Sequence, residues 1–176
     1  MGAMFALLFG LAVASPCMAE VKSQNPQGFV VANTVTVNTT PAKAYAGLGQ
    51  IGHWWKSEHT LSGDAANLSL DSHLGGCFCE KLKDGGGVGW MVVVLNQPDR
   101  VLRLRGALGP LQGEGADGAL TWTFKPVQGG VQVSLSYAVG GFASANAESF
   151  AAPVDEVLAE QLKRYKAFLE TGAPGP

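Results

Sequence analysis

The side chains here whose chemistry could exceed packing fall between positions 53 and 80: His53, His59, His73, Cys77, Cys79 and Glu80, with Asp64 and Asp71 among them. They have the composition of a metal site but not its spacing. No Cys-x-x-Cys and no His-x-x-x-His occurs. Cys77 and Cys79 put two soft sulfurs on one face of a strand, which would suit copper(I). Two reduced thiols packed as small hydrophobes is the preferred reading, so no metal and no cofactor are expected. Two cysteines so close on an extended chain also have the wrong geometry for an easy disulfide. Stability is therefore expected from a core.

Acid–base chemistry is the other option. Phe78 and Glu80 share the strand face opposite the cysteines. If Phe78 points inward, Glu80 follows it, and burial there would favour the neutral acid. A carboxylic acid beside a histidine could enolise or dehydrate a carbonyl compound, which makes Glu80 and His59 the catalytic candidates. The alternative places Glu80 in solvent near Lys81 or Lys83. Ser57 and Ser62-Gly63 lack the strand–turn–helix setting of a hydrolase nucleophile. Gly106-Ala107-Leu108-Gly109-Pro110 does not lie between a strand and a helix, so it is no phosphate or dinucleotide loop.

Composition narrows the field. The 176 residues carry 14 acidic and 12 basic groups, a net charge of −2, which gives no footprint for nucleic acid. With 47% hydrophobic residues and only 15% charged, the chain is not disordered. Its 24 glycines show no Gly-X-Y period and suit turns between short strands. Met4 to Val13 (MFALLFGLAV) is an apolar run of ten. That is short of the roughly 20 residues a membrane span needs, but it fits the core of a signal peptide. Pro16 would end the signal helix, and Cys17-Met18-Ala19 offers small residues at the −3 and −1 positions. Cleavage is expected near Ala19, with 1–19 as the signal, 20–27 as an extension, 28–171 as one domain and 172–176 as a flexible tail. The mature protein is then periplasmic or secreted. A buried first helix is the alternative for the apolar run.

Several elements must position these groups. Phe29 to Val37 alternates as a strand, its inner face broken only by Asn33. Thr40-Pro41 is an N-cap followed by a first-turn proline. The stripe Ala44, Tyr45, Leu48, Ile51 follows, and His53-Trp54-Trp55-Lys56 forms a second short helix or turn. Strands are predicted over Cys77 to Lys83, Val88 to Leu95, Val101 to Arg105, Ala119 to Lys125 and Val131 to Val139, with a marginal one at Leu68 to Asp71. Their turns are rich in Gly, Asn, Asp and Pro. Val88 to Leu95 is apolar on both faces, which predicts a cover on its far side or a central position. Pro153 is expected to open a long helix with the stripe Val154, Val157, Leu158, Gln161, Leu162, Tyr165, Phe168 and Leu169, supported by a Glu160–Arg164 pair and stopped at Gly172. The class is α+β. A curved antiparallel sheet of about seven strands with one dry face wraps the terminal helix, and the wedge left between them is a ligand pocket by default.

The order of elements, with Trp54-Trp55 after the first helix, Gly75-Gly76-Cys77-Phe78 opening a strand and a closing helix, resembles the SRPBCC superfamily. This is the helix-grip group of START lipid-binding domains, aromatase/cyclase-like proteins and the activator of the ninety-kilodalton heat-shock protein ATPase. HWWKSEHTLSGDAANLSLD and RLRGALGPLQ are similar to its bacterial polyketide cyclase/dehydrase members. The resemblance covers roughly Phe29 to Leu169 and implies a cavity for a small hydrophobic molecule, with no shared catalytic residues to carry over. Expected around that cavity are Trp54, Trp55, Phe78, Trp90, Leu104, Leu108, Trp122, Tyr137, Val157, Leu158 and Tyr165. An exported binding protein for a small hydrophobic or amphipathic ligand is the leading reading. Its rivals are a cofactor-free cyclase or dehydratase and a co-chaperone-like interaction module.

Overall fold

A computed structural model of the chain describes residues 18–143 and 147–175. Met1 to Cys17, most of the expected signal segment, lies outside the described residues. The strands are β1 (Met18–Asn25), β2 (Gly28–Val37), β3 (Leu68–Leu70), β4 (Cys77–Lys81), β5 (Gly87–Gln97), β6 (Val101–Gly106), β7 (Asp117–Val127) and β8 (Gly130–Gly140). The α-helices are α1 (Pro41–Gly47), α2 (Ile51–Trp54) and α3 (Glu148–Thr171), joined by several short 3-10 turns. The strands form one antiparallel sheet in the order β1-β2-β8-β7-β6-β5-β4-β3.

Alternation in the sequence becomes burial in the sheet. Leu120, Trp122 and Phe124 of β7 and Val131, Val133, Leu135, Tyr137 and Val139 of β8 face the core, while their neighbours along each strand face out. The dry face closes on α3 through Leu158, Leu162 and Tyr165. At its centre the rings of Trp54, Trp122 and Tyr165 meet edge-on or tilted at 4.9 to 6.0 Å, arrangements that suit the ring quadrupoles. Trp54 donates its indole N–H to Gly47 O at 3.0 Å, and Tyr165 donates its hydroxyl to Ala44 O. The polar tips of Trp54 and Tyr165 are thereby satisfied. Gly118 makes room for Tyr137: a Cβ there would lie 2.6 Å from the ring.

Thr40 caps α1 by accepting from Lys43 N, with Pro41 at the first helical position. Gly172 ends α3 in the left-handed region at φ 80°, its N–H donating to Phe168 O at 2.8 Å.

Five points correct or extend the sequence reading. First, α3 begins at Glu148, so Pro153 lies inside it and Glu148 occupies the first turn. Pro153 lies past the first four N–H groups of this 24-residue helix, which have no intrahelical partner, so it removes one hydrogen bond from the ladder. Second, Asp155 is buried and accepts from Asn33 Nδ2 at 2.9 Å, so the residue that broke the inner face of β2 is matched by a polar residue on the helix. Third, Glu160 pairs with Lys56 and His59 rather than Arg164, whose Nε donates to Trp54 O.

The fourth concerns β5. Val92 and Val94 are 48% and 46% exposed, so the far side of this strand is open to solvent and β5 lies toward one end of the sheet. The fifth concerns the cysteines. Cys77 and Cys79 are joined as a disulfide with their Cα atoms 5.4 Å apart, inside the range a bridge accepts. The cause is a bulge. Phe78 pairs with Met91 but Cys79 pairs with Gly89, so β5 carries one extra residue and the ladder kinks at the cysteines. Spanning so few residues, the bridge restrains the unfolded chain by only about 1.6 kcal/mol, roughly half the effect of a fifteen-residue loop.

One face of the sheet therefore carries the stability. Trp122→Ala is expected to cost about 3–5 kcal/mol and Val94→Ala no more than about 0.5 kcal/mol, measured by urea unfolding at equal m-value. Comparable losses for the two would refute the assignment of inside and outside.

Candidate functional site

The bulge that brings the cysteines together also turns Trp90 inward. Trp90 and Met91 are consecutive, yet Met91 is buried against the core and the Trp90 ring faces the space between sheet and helix. That space is a cavity of about 550 Å³, within the usual range for small-molecule sites. Trp55 and Phe78 form its inner wall, edge-to-face at 5.7 Å. Leu68 of β3 and Trp90 of β5 extend the wall along the sheet. Phe150, Val154, Val157 and Leu158 close it from the first half of α3. The rim is formed by residues 58–61, with Leu61 64% exposed, and by the loop from Leu108 to Gly113.

Tyr137 holds that loop in place. Its hydroxyl donates to Gly106 O at 3.2 Å and accepts from Leu108 N at 3.3 Å. Burial pushes its pKa well above that of a free phenol, so it remains a neutral donor.

Glu80 holds the opposite rim. It is 2% exposed, on the same inward face as Phe78. Its carboxylate accepts from Leu61 N at 3.2 Å, from Ser62 N, and from the Trp90 indole N–H at 3.0 Å. Burial pushes its pKa up, but the bonds from Ser62, Leu61 and Trp90 outweigh burial, and the net direction is below the usual carboxylate range. The group is an ionised clamp. It is neither the neutral acid nor the solvated carboxylate that the sequence suggested. It also stands behind Trp90 and Leu61, outside the cavity lining.

His59 does line the cavity, at the rim, with Nε2 3.1 Å from Glu160 Oε2 of α3. The two catalytic candidates thus have different partners and different roles. His53 lies against Phe168, its ring stacked at 6.2 Å, and His73 pairs with Asp71 at 2.7 Å on the surface. Among the described residues no group of three or more His, Cys, Asp or Glu is placed to hold a metal ion.

Of the residues expected around a cavity, Trp55, Phe78, Trp90, Leu108, Val157 and Leu158 line this one. Trp54, Leu104, Trp122, Tyr137 and Tyr165 do not; they are core, each 3% exposed or less. Sequence reasoning missed Leu61, Leu68, Leu111, Phe150, Pro153 and Val154. Val154 was legible on the helical stripe, whereas Phe150 was hidden by placing the helix start at Pro153.

Fold and cavity together define a helix-grip protein, in which a curved antiparallel sheet closes on one long helix around an apolar chamber. The chain belongs to the polyketide cyclase / dehydrase and lipid transport family, whose model matches residues 29–170. No curated protein matches it. Among solved structures it is similar to a protein of Chromobacterium violaceum at 15% identity, covering 80% of this chain and 96% of that one with a TM-score of 0.57. A conserved protein of unknown function from Enterococcus faecalis is 12% identical, with coverage of 87% and 78% and a TM-score of 0.60. The Aha1 dimer from Colwellia psychrerythraea is 18% identical, with coverage of 81% and 97% and a TM-score of 0.55. At such identities the likeness is one of fold. No helix among the described residues is long and apolar enough to cross a membrane.

The clamp has a pH signature. Because the folded-state pKa of Glu80 is depressed, its stabilisation is present above about pH 4.3 and is lost as pH falls through the lower folded value. Glu80→Gln is expected to cost about 1–3 kcal/mol at pH 7, and its deficit against the wild type to shrink between pH 5 and pH 3 in urea titrations. A deficit that grows on acidification would mean Glu80 is protonated in the native protein.

Proposed function

We propose that this chain is an exported binding protein that holds a small hydrophobic or amphipathic molecule in the chamber between β3–β5 and α3. The observation that carries the reading is the lining of the 550 Å³ cavity. Its walls are aromatic and aliphatic side chains, and its polar groups, Glu58, His59, Thr60 and Gln112, stand in the rim segments. An apolar body would be buried while a polar end stays wet. The family, described as polyketide cyclase / dehydrase and lipid transport, supports the same ligand chemistry. The run Met4 to Val13 supports export, as does a disulfide in the remaining chain, since such bonds persist in oxidising compartments. Cleavage after Ala19 would remove the β1 pairs at Met18 and Ala19 and leave those from Glu20 to Asn25.

A cofactor-free cyclase or dehydratase is the second reading. One observation favours it: His59 stands in the rim with Glu160 at hydrogen-bond distance, the arrangement of a positioned base.

Protein purified from the cell envelope or medium should begin at Glu20, and in native mass spectra it should carry an added mass that organic extraction removes. Val157→Trp, filling the cavity from α3, should abolish that mass and leave Tm within a few degrees. An empty wild type that takes up nothing from a lipid extract would overturn the binding reading. An intact Met1 in the cytosol would overturn export.

A further inference from the structure

The Cys77–Cys79 bridge is a poor staple, and it stands where a reagent can reach it. Both residues are partly exposed on the outer face of β4, the side of the sheet away from the cavity. Their neighbours leave them bare. Cys79 is opposite Gly89 on β5 and exposed Ser69 on β3, and a Cβ built on Gly89 would meet nothing within 4 Å. Cys77 is opposite Val92, itself 48% exposed. Lys81 lies two residues beyond Cys79 on the same outward face, where its positive charge favours a thiolate. Of the carboxylates near the pair in the chain, Glu80 points inward to Leu61, Ser62 and Trp90, and Asp71 bonds Cys77 O through its backbone N–H and directs its side chain to His73. Phe78, between the two cysteines, points the opposite way into the cavity wall against Trp55. One strand segment thus carries a sulfur pair on its outer side and a ring of the ligand chamber on its inner side.

We propose that Cys77–Cys79 is a reactive disulfide that exchanges with external dithiols, and that its state is felt at the cavity wall through Phe78. A thiolate of the dithiol attacks Cys79 Sγ from the side left open by Gly89. The Cys77–Cys79 bond breaks, a mixed disulfide forms on Cys79, and Cys77 departs as a thiolate that takes up a proton. The second thiolate of the dithiol attacks its own sulfur in the mixed disulfide and releases Cys79, which is protonated in turn. The dithiol gives up two electrons and becomes a disulfide, and the pair becomes two thiols. Folding opposes this little, because so short a loop gives the bond little entropic advantage. The exchange does not depend on what the cavity binds.

The test uses the folded, full chain with dithiothreitol as the probe. Samples are trapped with iodoacetamide, and the peptide containing residues 77–79 is weighed. The native protein should gain two carbamidomethyl groups at a rate within about tenfold of the urea-unfolded chain, with its far-ultraviolet circular dichroism retained. Oxidised glutathione should restore the bridge. The near-ultraviolet aromatic signal should change with reduction and recover with reoxidation. Gly89→Val, which covers Cys79, should slow reduction severalfold. Reduction only on unfolding, about a hundredfold or more below the unfolded rate, would overturn the exchange. An unmoved aromatic signal in fully reduced protein would overturn the coupling to Phe78. The double variant Cys77→Ser/Cys79→Ser separates a reactive bond from a staple. Its Tm should fall by no more than about 6 °C, and a larger fall would overturn the proposal.

Discussion

An α-helix is about 10 Å across with its side chains, whereas neighbouring strands are about 4.8 Å apart. The eight strands of this sheet therefore span roughly 34 Å, and α3 can cover only about a third of them. The rest of the molecule answers that mismatch. α3 lies over β1 and β2, the sheet curls toward it, and the chain between β2 and β3 is packed into what remains. Trp54 is the deepest part of that insertion, and its contacts with Trp122 and Tyr165 tie it to sheet and helix at once. Toward β3, β4 and β5 the cover thins to Trp55, the segment after it, the loop after β6 and one side of the first half of α3. That is where the void lies. The cavity is thus a consequence of covering a wide, curved surface with one straight rod, and its position at the β3–β5 end follows from the helix lying at the other.

The large features of this arrangement were legible because they rest on period. Alternation in β7 and β8 and the 3.6-residue stripe of α3 each require a buried partner, and once both exist the grip is almost forced. The missing pieces rest on other physics. β1 is polar along Glu20 to Asn25 apart from Val21, so as an edge strand it has no buried face to announce itself. The α3 start was misplaced because proline usually stands in a first turn, while Pro153 is in the interior with Ala151 already buried on the turn before it. Asn33 looked like a fault in β2, and its explanation stands on a helix that begins more than a hundred residues later.

The bulge at Gly89-Trp90 shows best what a single sequence hides. Strict alternation through Cys77-Phe78-Cys79-Glu80 assigned the faces of β4 as the structure has them. It could not reveal that β5 holds one residue more than β4 at this point, because a bulge is a property of a pair of strands. That residue changes three things together. It shortens the span between Cys77 and Cys79 until a bond can form. It swings Trp90 from the outer face to the inner one, and it brings the indole N–H onto Glu80. The chemistry expected of Glu80 then fails for an electrostatic reason. Burial was one of two alternatives left open, and three N–H donors converging on the carboxylate favour the ion by more than burial disfavours it.

That outcome bears on how this cavity can work. A general acid or base must have a lone pair or proton that the native hydrogen bonds leave free, and it must face the reacting atom. Glu80 does not face the chamber: its oxygens accept from Leu61, Ser62 and Trp90, and Leu61 and Trp90 line the chamber where Glu80 does not. His59 faces the chamber, but Glu160 also meets Lys56, so the imidazole competes for a carboxylate already held by an ammonium group. Shape, in contrast, is strongly specified. Phe78 is fixed by its strand and by Trp55, Leu108 by the Tyr137 hydroxyl, and Leu61 by Glu80. The polar groups of the site are thus engaged in holding apolar surfaces in position. The shape of the chamber is thus set by these contacts before anything enters it. Loosening any one of those contacts would move a ring or a rim residue, so the wall depends on all three together.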